Sequence, residues 1–297
     1  GSAGCGLILK KKAYLFVDGR YTLQAKKESD KNFKIIEIHK TKPSKILKKI
    51  RKKLTIGFDP KLLSETNLLN NYYTNNMKFI SVEKNLIDEI WVNKPKVKIN
   101  KFFILHSRHT GSNYKTKINT VCKILRKNKI NKLLISAPEN LAWILNIRGK
   151  DSKYSPLPNC HAIIDSKKKI TLVVNKNKIN KKFKFYFRNT VNYIEPSNII
   201  KYFDNLDAKD VFFIDKFTCS FFYKKEIEKR FKYEEKIDPI YFLKAKKNKI
   251  EINNSIKSHI KDGVALTKFI YWIKNNIGKF KITEISAGKK LEKFRKQ

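Results

Sequence analysis

The sequence predicts an α/β fold made of two successive units, followed by the start of a third. Short apolar runs alternate with longer stretches of helical periodicity, which is the pattern of domains in which helices pack on a sheet. The alternation stops at a link containing Lys and Pro, residues 93–98, and then begins again. A chain of 297 residues has room for about two domains, and 41% hydrophobic residues supply their cores.

The first unit contains four predicted strands and three predicted helices. The strands are apolar runs bounded by turn-forming or charged residues, at residues 13–17, 33–39, 54–58 and 78–82. Helices are predicted to start near Tyr21, Pro43 and Lys61. The glycine-rich start, residues 1–4, lacks the spacing of phosphate-binding loops and predicts a tight turn.

The second unit repeats this alternation without a sequence repeat. Strands are predicted at residues 102–105, 132–136, 161–164, 170–174, 183–187 and 211–214, and helices at residues 114–128, 196–203 and 220–231. A further helix is predicted to begin at residues 136–139, because Ser136 suits a helix cap and Pro138 and Glu139 suit the first turn.

After Pro239 the pattern changes to one long helix, predicted over residues 246–277. Isoleucines recur along it near helical spacing, so one face is apolar and requires a partner. The roughly 60 residues left are too few to enclose that face. The chain also starts without Met and ends in a predicted helix, residues 286–297, that lacks a stop signal. We therefore expect a fragment, with units at residues 1–97 and 98–238 and a truncated third domain at 239–297.

The strongest compositional signal is charge. The chain has 67 Lys and Arg against 26 Asp and Glu, a formal net charge of +41, and only eight of the basic residues are Arg. Nucleic-acid readers favour Arg and gather their charge on one face, whereas Lys is scattered through this chain. We expect only non-specific binding of nucleic acid, through counterion release, and interpret the excess as compositional drift.

Two classes of protein are excluded. Lys interrupts every hydrophobic stretch before it reaches the roughly 20 residues of a membrane-spanning helix. The four cysteines, Cys5, Cys122, Cys160 and Cys219, are far apart and form no CxxC pair, so neither a zinc ribbon nor a disulfide scaffold is indicated. A cytoplasmic location fits this cysteine usage best.

Metal and nucleophile chemistry has weak support in the sequence. His106 and His109 have a spacing that would present two imidazoles to one metal on a helix, but Gly111 and nearby polar residues favour a loop. The other histidines are expected to be packed or solvated: His39, His161 and His259. A loose acidic run is interpreted as a loop followed by a strand: Asp204, Asp207, Asp210 and Asp215.

The most informative short motif is Asp18-Gly19-Arg20-Tyr21. A predicted strand ends at Val17 and Gly19 permits a sharp turn, which displays Arg20 at the strand end, where α/β domains present functional groups. A guanidinium there can hold a peptide carbonyl or carboxylate through two parallel hydrogen bonds. The alternative is that Arg20 pairs with Asp18 and only stabilises the turn.

Four separated stretches, taken together, carry a family resemblance. They are GSAG with VDGRYTLQA; NLIDEIW at 85–91; NLAWILNIRGKDSKYSP at 140–156; and DPIYFLKAKKNKIEINNSIKSHIKDGVALTKFIYW at 238–272 with TEISAGKKLEKFRKQ at 283–297. In this order and at this spacing they resemble the cytosolic, three-domain Xaa-Pro aminopeptidases (aminopeptidase P). The resemblance makes residues 1–4 a native loop rather than an expression remnant.

The resemblance implies a fold, a reaction and a cofactor. It implies two creatinase-like N-terminal domains, with mixed sheets flanked by helices, plus the first helices of a truncated pita-bread domain. It implies release of the N-terminal residue from short peptides with proline second, by two divalent metal ions, usually Mn²⁺. The family's metal ligands would lie outside this chain, so we assign it no metal ligand and no catalytic residue and expect the fragment to be inactive. A homodimer is also implied.

Few residue roles transfer from the family. The Arg of the DGRY motif is associated with substrate binding, so the resemblance makes Arg20 the predicted substrate contact. Arg148 and Asp151 are expected in a loop between the second and third domains, where an interdomain salt bridge is favoured over substrate contact. Two alternatives stay open: a non-catalytic peptide- or protein-binding member of the same architecture, and a basic nucleic-acid-binding module.

Overall fold

The computed structural model describes residues 4–95, 99–152 and 154–297. Within them the chain is an α/β protein, which confirms the predicted fold class. Most of the predicted turn at residues 1–4, and half of the predicted link at residues 93–98, lie outside the described residues. We call residues 4–95 the N-terminal lobe and residues 99–152 with 154–245 the central lobe.

The N-terminal lobe carries two small sheets. Strands β1 (Gly4–Leu9), β2 (Lys12–Val17) and β3 (Phe33–Glu37) form one, in which β2 pairs antiparallel with β1 and parallel with β3. Strands β4 (Leu54–Phe58) and β5 (Met77–Ser81) form a parallel pair. The helices are α1 (Thr22–Glu28), α2 (Pro43–Leu47), α3 (Glu65–Tyr72) and α4 (Leu86–Ile90). A small core of Leu7, Tyr14, Phe16 and Leu47, with partly buried residues of β3, β4, β5 and α3 packed against it, joins the two sheets.

One strand of this lobe was not predicted, and the start of one helix was predicted wrongly. Strand β1 was not predicted, because the glycine-rich residues 1–4 were interpreted as a turn, although the β1 backbone pairs along the full length of β2. Helix α3 begins at Glu65 rather than near Lys61, because the Ser64 side chain accepts a hydrogen bond from the Asn67 backbone and caps the helix there.

The central lobe is built on a six-stranded sheet of order β11-β10-β9-β7-β12-β13. Its strands are β7 (Lys132–Ile135), β9 (His161–Asp165), β10 (Ile170–Val173), β11 (Val191–Ile194), β12 (Val211–Asp215) and β13 (Lys232–Lys236). All run parallel except β9, which lies antiparallel between β10 and β7. Two short strands, β6 (Phe103–Ile104) and β8 (Ile147–Arg148), pair separately.

Helices cover both faces of this sheet. They are α5 (Ser107–Thr110), α6 (Tyr114–Lys127), α7 (Pro138–Leu145), α8 (Lys181–Tyr186), α9 (Ile199–Asp204), α10 (Phe221–Glu228) and α11 (Pro239–Ala245). Alternate residues of each strand point to opposite faces, so Leu133 and Ile135 pack with α6, α7 and α8, whereas Leu134 packs with α9 and α10. The crossovers β10-α8-β11 and β12-α10-β13 therefore lie on opposite faces of the sheet.

Two predictions for the central lobe were wrong, and two strands of its sheet were not predicted. Residues 183–186 belong to helix α8 and Phe187 is its C-cap, because the Asn180 side chain caps the start of the helix and Phe183 and Phe187, four residues apart, are buried on one side. Strands β11 and β13 were missed. Ser136 does not cap α7; its hydroxyl contacts that of Thr218 at 2.7 Å, and Ala137 precedes the helix without a side-chain cap.

A long helix follows, α12 (Lys249–Asn276), and then α13 (Glu284–Arg295). The predicted apolar face of α12 is exposed: Ile256, Ile260 and Val264 retain 54%, 62% and 53% of their accessible surface. Among the described residues, no helix is long and apolar enough to cross a membrane.

The first turn of α12 is fixed to the central lobe. The Asn248 side chain caps α12 and donates a hydrogen bond to the Thr110 carbonyl at 2.9 Å, and Trp143 Nε1 donates to Glu251 at 3.3 Å. Beneath Trp143, the buried Lys117 ammonium donates to Asn146 Oδ1 at 2.7 Å. Burial lowers the pKa of Lys117 to about 8.

We expect Gly111→Ala to cost at least about 2 kcal/mol of unfolding free energy. Gly111 has φ +67°, and an added Cβ would lie 2.2 Å from Asn248 Oδ1, so the substitution would strain the turn and displace the cap of α12. The matched control is Gly263→Ala in the middle of α12, where no described atom lies within 4 Å. It should stabilise the protein by about 0.8 kcal/mol. Urea unfolding that gives the two variants equal stability would contradict this account.

The two lobes meet at a joint formed by helix α10 and residues 58–65. The backbone N–H groups of Phe221 and Phe222 donate to the carbonyls of Leu63 and Pro60 at 2.7 and 2.8 Å. The Phe221 ring meets Phe58 edge to face, with centroids 5.1 Å apart. The lobe joint is therefore held by main-chain bonds as well as by side chains.

A buried lysine completes the lobe joint. The Lys224 ammonium donates to Glu65 of α3 and, at 2.5 Å, to Glu235 of β13. Burial opposes the charge on Lys224, but the hydrogen bonds and attraction of the two carboxylates outweigh it and raise the pKa of Lys224. One cation thus links a helix of the N-terminal lobe to a strand of the central lobe.

Candidate functional site

The candidate site lies where β2 and β3 end. Because the two strands are parallel and Val17 is paired with Glu37, their carboxyl ends bring Asp18 and His39 to the same edge of the sheet. Residues Gly19–Tyr21 form a single 3-10 turn, and the Asp18 side chain caps it by accepting a hydrogen bond from the Arg20 backbone at 3.0 Å. The strand end and turn predicted from the sequence are both present.

Asp18 is the centre of a small ion cluster. Its carboxylate accepts hydrogen bonds from Arg20 Nε at 2.8 Å and from Arg20 Nη2 at 3.4 Å, and it contacts His39 Nε2 at 3.2 Å. The hydrogen bonds from Arg20 and His39 hold the pKa of Asp18 well below its usual range, and the carboxylate in turn raises the pKa of Arg20. Both groups are therefore charged throughout the physiological pH range.

The Arg20 guanidinium remains open to a ligand. Its side chain is 77% exposed, and its Nη1 has no hydrogen-bond partner within the described part of the chain. Beside it, a hollow of about 310 Å³ is lined by His39 and its neighbours: Lys40, Lys42, Ser44, Lys45 and Lys48. Of these lysines, Lys40 pairs with Glu37 at 2.8 Å. The arrangement can attract an anionic group and hold it through Arg20.

Arg148 and Asp151 do not pair with each other. Arg148 Nη1 donates to the carbonyls of Ala142 and Ile147 at 2.9 and 2.8 Å, and burial lowers the pKa of Arg148. Asp151 pairs with Lys178 at 2.9 Å. All of these partners lie in the central lobe, so the expected interdomain salt bridge is not formed by the described residues. Both side chains stabilise the lobe from within.

The metal candidates from the sequence do not form a set of three ligands in the described part of the chain. His106 is the N-cap residue of α5 and His109 lies within that helix, where a loop was predicted, and His109 Nε2 accepts a hydrogen bond from Arg108. The acidic run is dispersed: Asp204 pairs with Arg230, Asp210 with Lys132, and Asp215 accepts backbone hydrogen bonds. Across residues 4–95, 99–152 and 154–297, no three His, Cys, Asp or Glu side chains converge on a point that would hold a metal ion.

The sequence analysis missed a buried polar network at the start of α11. Asp238 accepts hydrogen bonds from Asn140 Nδ2 and the Ile240 backbone, both at 2.8 Å, while its own N–H donates to Asp215 at 2.7 Å. Burial raises the pKa of Asp238 to about 6. Asn140 Oδ1 is buried and has no partner among the described residues. Asp238 directly before Pro239 is the typical sequence of a helix start, and this pattern could have indicated α11 and its cap.

The family comparison covers the whole chain. Profiles of the creatinase/prolidase N-terminal domain match residues 1–90 and residues 93–251. Xaa-Pro aminopeptidase 1 of Dictyostelium discoideum is 30% identical over all of this chain and 50% of that protein. Xaa-Pro aminopeptidase ApepP of Drosophila melanogaster is 31% identical over 99% of this chain and 50% of that protein. The chain thus spans about half the length of the curated relatives it matches.

A solved structure shares the fold. X-prolyl aminopeptidase from Caenorhabditis elegans, described as a cytosolic enzyme with a di-nuclear active site, matches with a TM-score of 0.86 and 22% sequence identity. The match covers all of this chain and 50% of that one. The likeness confirms that the lobes and the long helix form one known arrangement.

Proposed function

Because this chain belongs to the creatinase/prolidase N-terminal domain family, we propose that it is the N-terminal half of an Xaa-Pro aminopeptidase. The observation that carries the proposal is the similarity of its whole length to one half of such enzymes. The complete protein would release the N-terminal residue from short peptides whose second residue is proline. We place it in the cytoplasm, where the Caenorhabditis elegans relative is described, and propose a homodimer.

The proposed division places the hydrolytic chemistry in the other half. The described residues of this chain do not fit a dinuclear metal centre, since no three potential ligands converge. Two divalent ions, with Mn²⁺ the proposed metal, would be held by the catalytic half. The exposed apolar face of α12, including Ile256, Ile260 and Val264, offers that half a surface to cover. We keep the domain limits at residues 1–97, 98–238 and 239–297.

Within this function, Arg20 is the proposed substrate contact. Its Nε and Nη2 face Asp18, which fixes the guanidinium, and Nη1 is directed to no described partner. Such a pre-oriented cation would hold a peptide carbonyl or carboxylate with little loss of side-chain entropy. The cationic hollow beside His39 would raise the local concentration of anionic peptide termini.

The first test is Arg20→Ala in a protein that carries both halves. We expect kcat/KM for an Xaa-Pro tripeptide to fall about 10-fold or more, because one charge-assisted contact is lost. The free energy of unfolding should change by less than about 0.5 kcal/mol, since an exposed ion pair contributes little. Arg51→Ala, an exposed arginine elsewhere in the N-terminal lobe, is the control and should leave both quantities unchanged.

The second variant separates substrate contact from turn stabilisation. Asp18→Asn removes the charge that holds Arg20 but leaves the guanidinium in place. If Arg20 binds substrate, Asp18→Asn should raise KM, and Arg20→Ala should lower kcat/KM further than Asp18→Asn does. If Arg20 only stabilises the turn, the two variants should lose stability together and keep the kinetics of the parent enzyme, which would overturn the assignment.

A further inference from the structure

A cleft of about 1170 Å³ lies between the N-terminal lobe and the six-stranded sheet. We propose that it binds an organic anion with an apolar, ring-bearing body and a carboxylate or phosphate group. The lining of this interlobe cleft does not include Asp18, Arg20 or His39. None of the cleft residues used below belongs to the Arg20 cluster.

The position of the interlobe cleft is typical of ligand sites in α/β sheets. Val173, at the carboxyl end of β10, is paired with Ile194 at the end of β11 and with His161 at the start of antiparallel β9. The crossovers that follow β10 and β12 leave on opposite faces of the sheet, so a crevice opens at this edge between them. In open α/β sheets, ligands bind in the crevice outside the carboxyl ends of the strands, where the crossovers diverge.

The floor of the interlobe cleft is apolar, with two polar groups directed into it. Val173, Val174 and Ile199 contribute aliphatic surface. His161 Nδ1 lies 3.2 Å from the Tyr223 hydroxyl, and the two rings meet edge to face with centroids 5.1 Å apart. Burial lowers the pKa of His161, so its imidazole is neutral at physiological pH. Within the described residues Nε2 has no partner, which leaves the imidazole one hydrogen-bonding position.

The mouth of the interlobe cleft is cationic. Lys61 and Lys84, on the N-terminal lobe, have no carboxylate partner in the described structure, and the Lys61 ammonium lies 5.6 Å from the centre of the Phe222 ring. Three further lysines of the lining are already paired: Lys178 with Asp151, Lys225 with Glu228 and Lys229 with Glu226. The two lysines without a carboxylate partner therefore both belong to the N-terminal lobe, whose wall also carries Glu83, and Lys61 lies beside the Phe222 ring.

These features select the chemistry of the ligand. The first amides of α10 cannot hold an anion, because those of Phe221 and Phe222 already donate to Leu63 and Pro60. The anionic group must instead reach Lys61 and Lys84, while a ring can pack on Phe222 and the aliphatic floor and accept or donate at His161. A charged group at the mouth and apolar contacts below are the usual division of a small-molecule site. Simple inorganic anions would leave the floor unfilled.

The test uses ring ¹⁵N signals of the five histidines in the 297-residue chain, with His161→Gln to assign one of them. The probes are 1-naphthyl phosphate and 1-naphthoate, with neutral 1-naphthalenemethanol for comparison, at 150 mM salt. We expect at least one anion to shift the His161 signals saturably with a Kd below about 1 mM, and the alcohol to bind at least about 10-fold more weakly. Whichever anion binds more tightly identifies the charged group as phosphate or carboxylate.

Two lysine pairs make the test specific. Lys61→Ala with Lys84→Ala should weaken binding about 10-fold or more. Lys10→Ala with Lys11→Ala removes the same charge from the exposed turn between β1 and β2 and should change the Kd by less than about 2-fold. If the two double variants lose the same affinity for the anion, binding is due to diffuse attraction by a basic surface, and the proposed site is wrong. Failure of both anions to move His161 at 5 mM, or equal binding of the alcohol, would overturn the proposal.

Discussion

Replacing Lys224 by Ala is expected to lower the free energy of unfolding by about 3 kcal/mol. The Lys224 side chain is 7% exposed and lies between Glu65 and Glu235, so its removal leaves two carboxylates facing each other without a cation. The side chains of Glu65 and Glu235 are 30% and 25% exposed, so water partly solvates their charges after the lysine is removed. The expected loss of unfolding free energy is therefore at the low end of the range for a broken buried ion pair. Urea unfolding at neutral pH measures the loss.

The adjacent lysine is the matched control. Lys225 lies on the same helix, is 42% exposed and pairs with Glu228 at 2.6 Å. Its replacement by Ala should cost less than about 0.5 kcal/mol, because an exposed ion pair is screened by water. Lys224→Met keeps most of the apolar stem, so a loss similar to that of Lys224→Ala would assign the effect to charge. If Lys224→Ala and Lys225→Ala were equally stable, the lobe joint would not depend on the buried cation.

Replacing Asp238 by Asn should change how stability depends on pH. Burial raises the pKa of Asp238 to about 6 from an ordinary value of 3.8, so the folded state binds the proton more tightly than the unfolded state. The contribution of this carboxyl is therefore fully present below pH 3.8 and is lost as the pH rises through 6. By linkage the loss amounts to about 3 kcal/mol.

Asparagine cannot ionise and so avoids this loss. Its oxygen can still accept from the Ile240 backbone, and its Nδ2 can donate to Asn140 Oδ1, which has no partner in the described structure, after the Asn140 amide turns over. The unfolding free energy of Asp238→Asn minus that of the parent should rise by about 2 kcal/mol between pH 4 and pH 7.5. Denaturant titrations at both pH values measure this difference.

Asp238→Ala distinguishes charge from capping. Alanine also cannot ionise, so the pH dependence of Asp238→Ala should follow that of Asp238→Asn. The unfolding free energy of Asp238→Ala should be about 1 kcal/mol below that of Asp238→Asn at every pH, because alanine cannot cap α11. Parallel pH curves for the parent and Asp238→Asn would contradict the raised pKa.

The sequence predicted those parts of the candidate site that are formed by residues close together in the chain. Asp-Gly after an apolar run predicted the turn that displays Arg20, and the pairing of Arg20 with Asp18 was one of the two stated alternatives. The contact with His39 was not foreseen, because it depends on the parallel pairing of β2 with β3. The role of Arg20 in substrate binding stays a prediction.

Helices and strands were predicted correctly where the local sequence signals agreed on one structure. They were not predicted where contacts with residues distant in the chain determine the structure. Helix α6 starts as predicted because Asn113 caps it, and β4 matches its predicted limits. The segment FKFYF alternates like a strand, and only burial of Phe183 and Phe187 on one side makes it helical. Lys224 is one lysine among many in the sequence, and its partner Glu65 is 159 residues away.

The lobe joint has a consequence for the order in which the protein forms during its synthesis. Residues 58–65 are translated long before α10, which later donates to their carbonyls and covers Phe58. At roughly 5 to 20 residues per second, an interval of 159 residues lasts roughly 10 to 30 s. During that time the nascent N-terminal lobe presents unpaired carbonyls and an uncovered ring, which makes this the period in which a chaperone has most to protect.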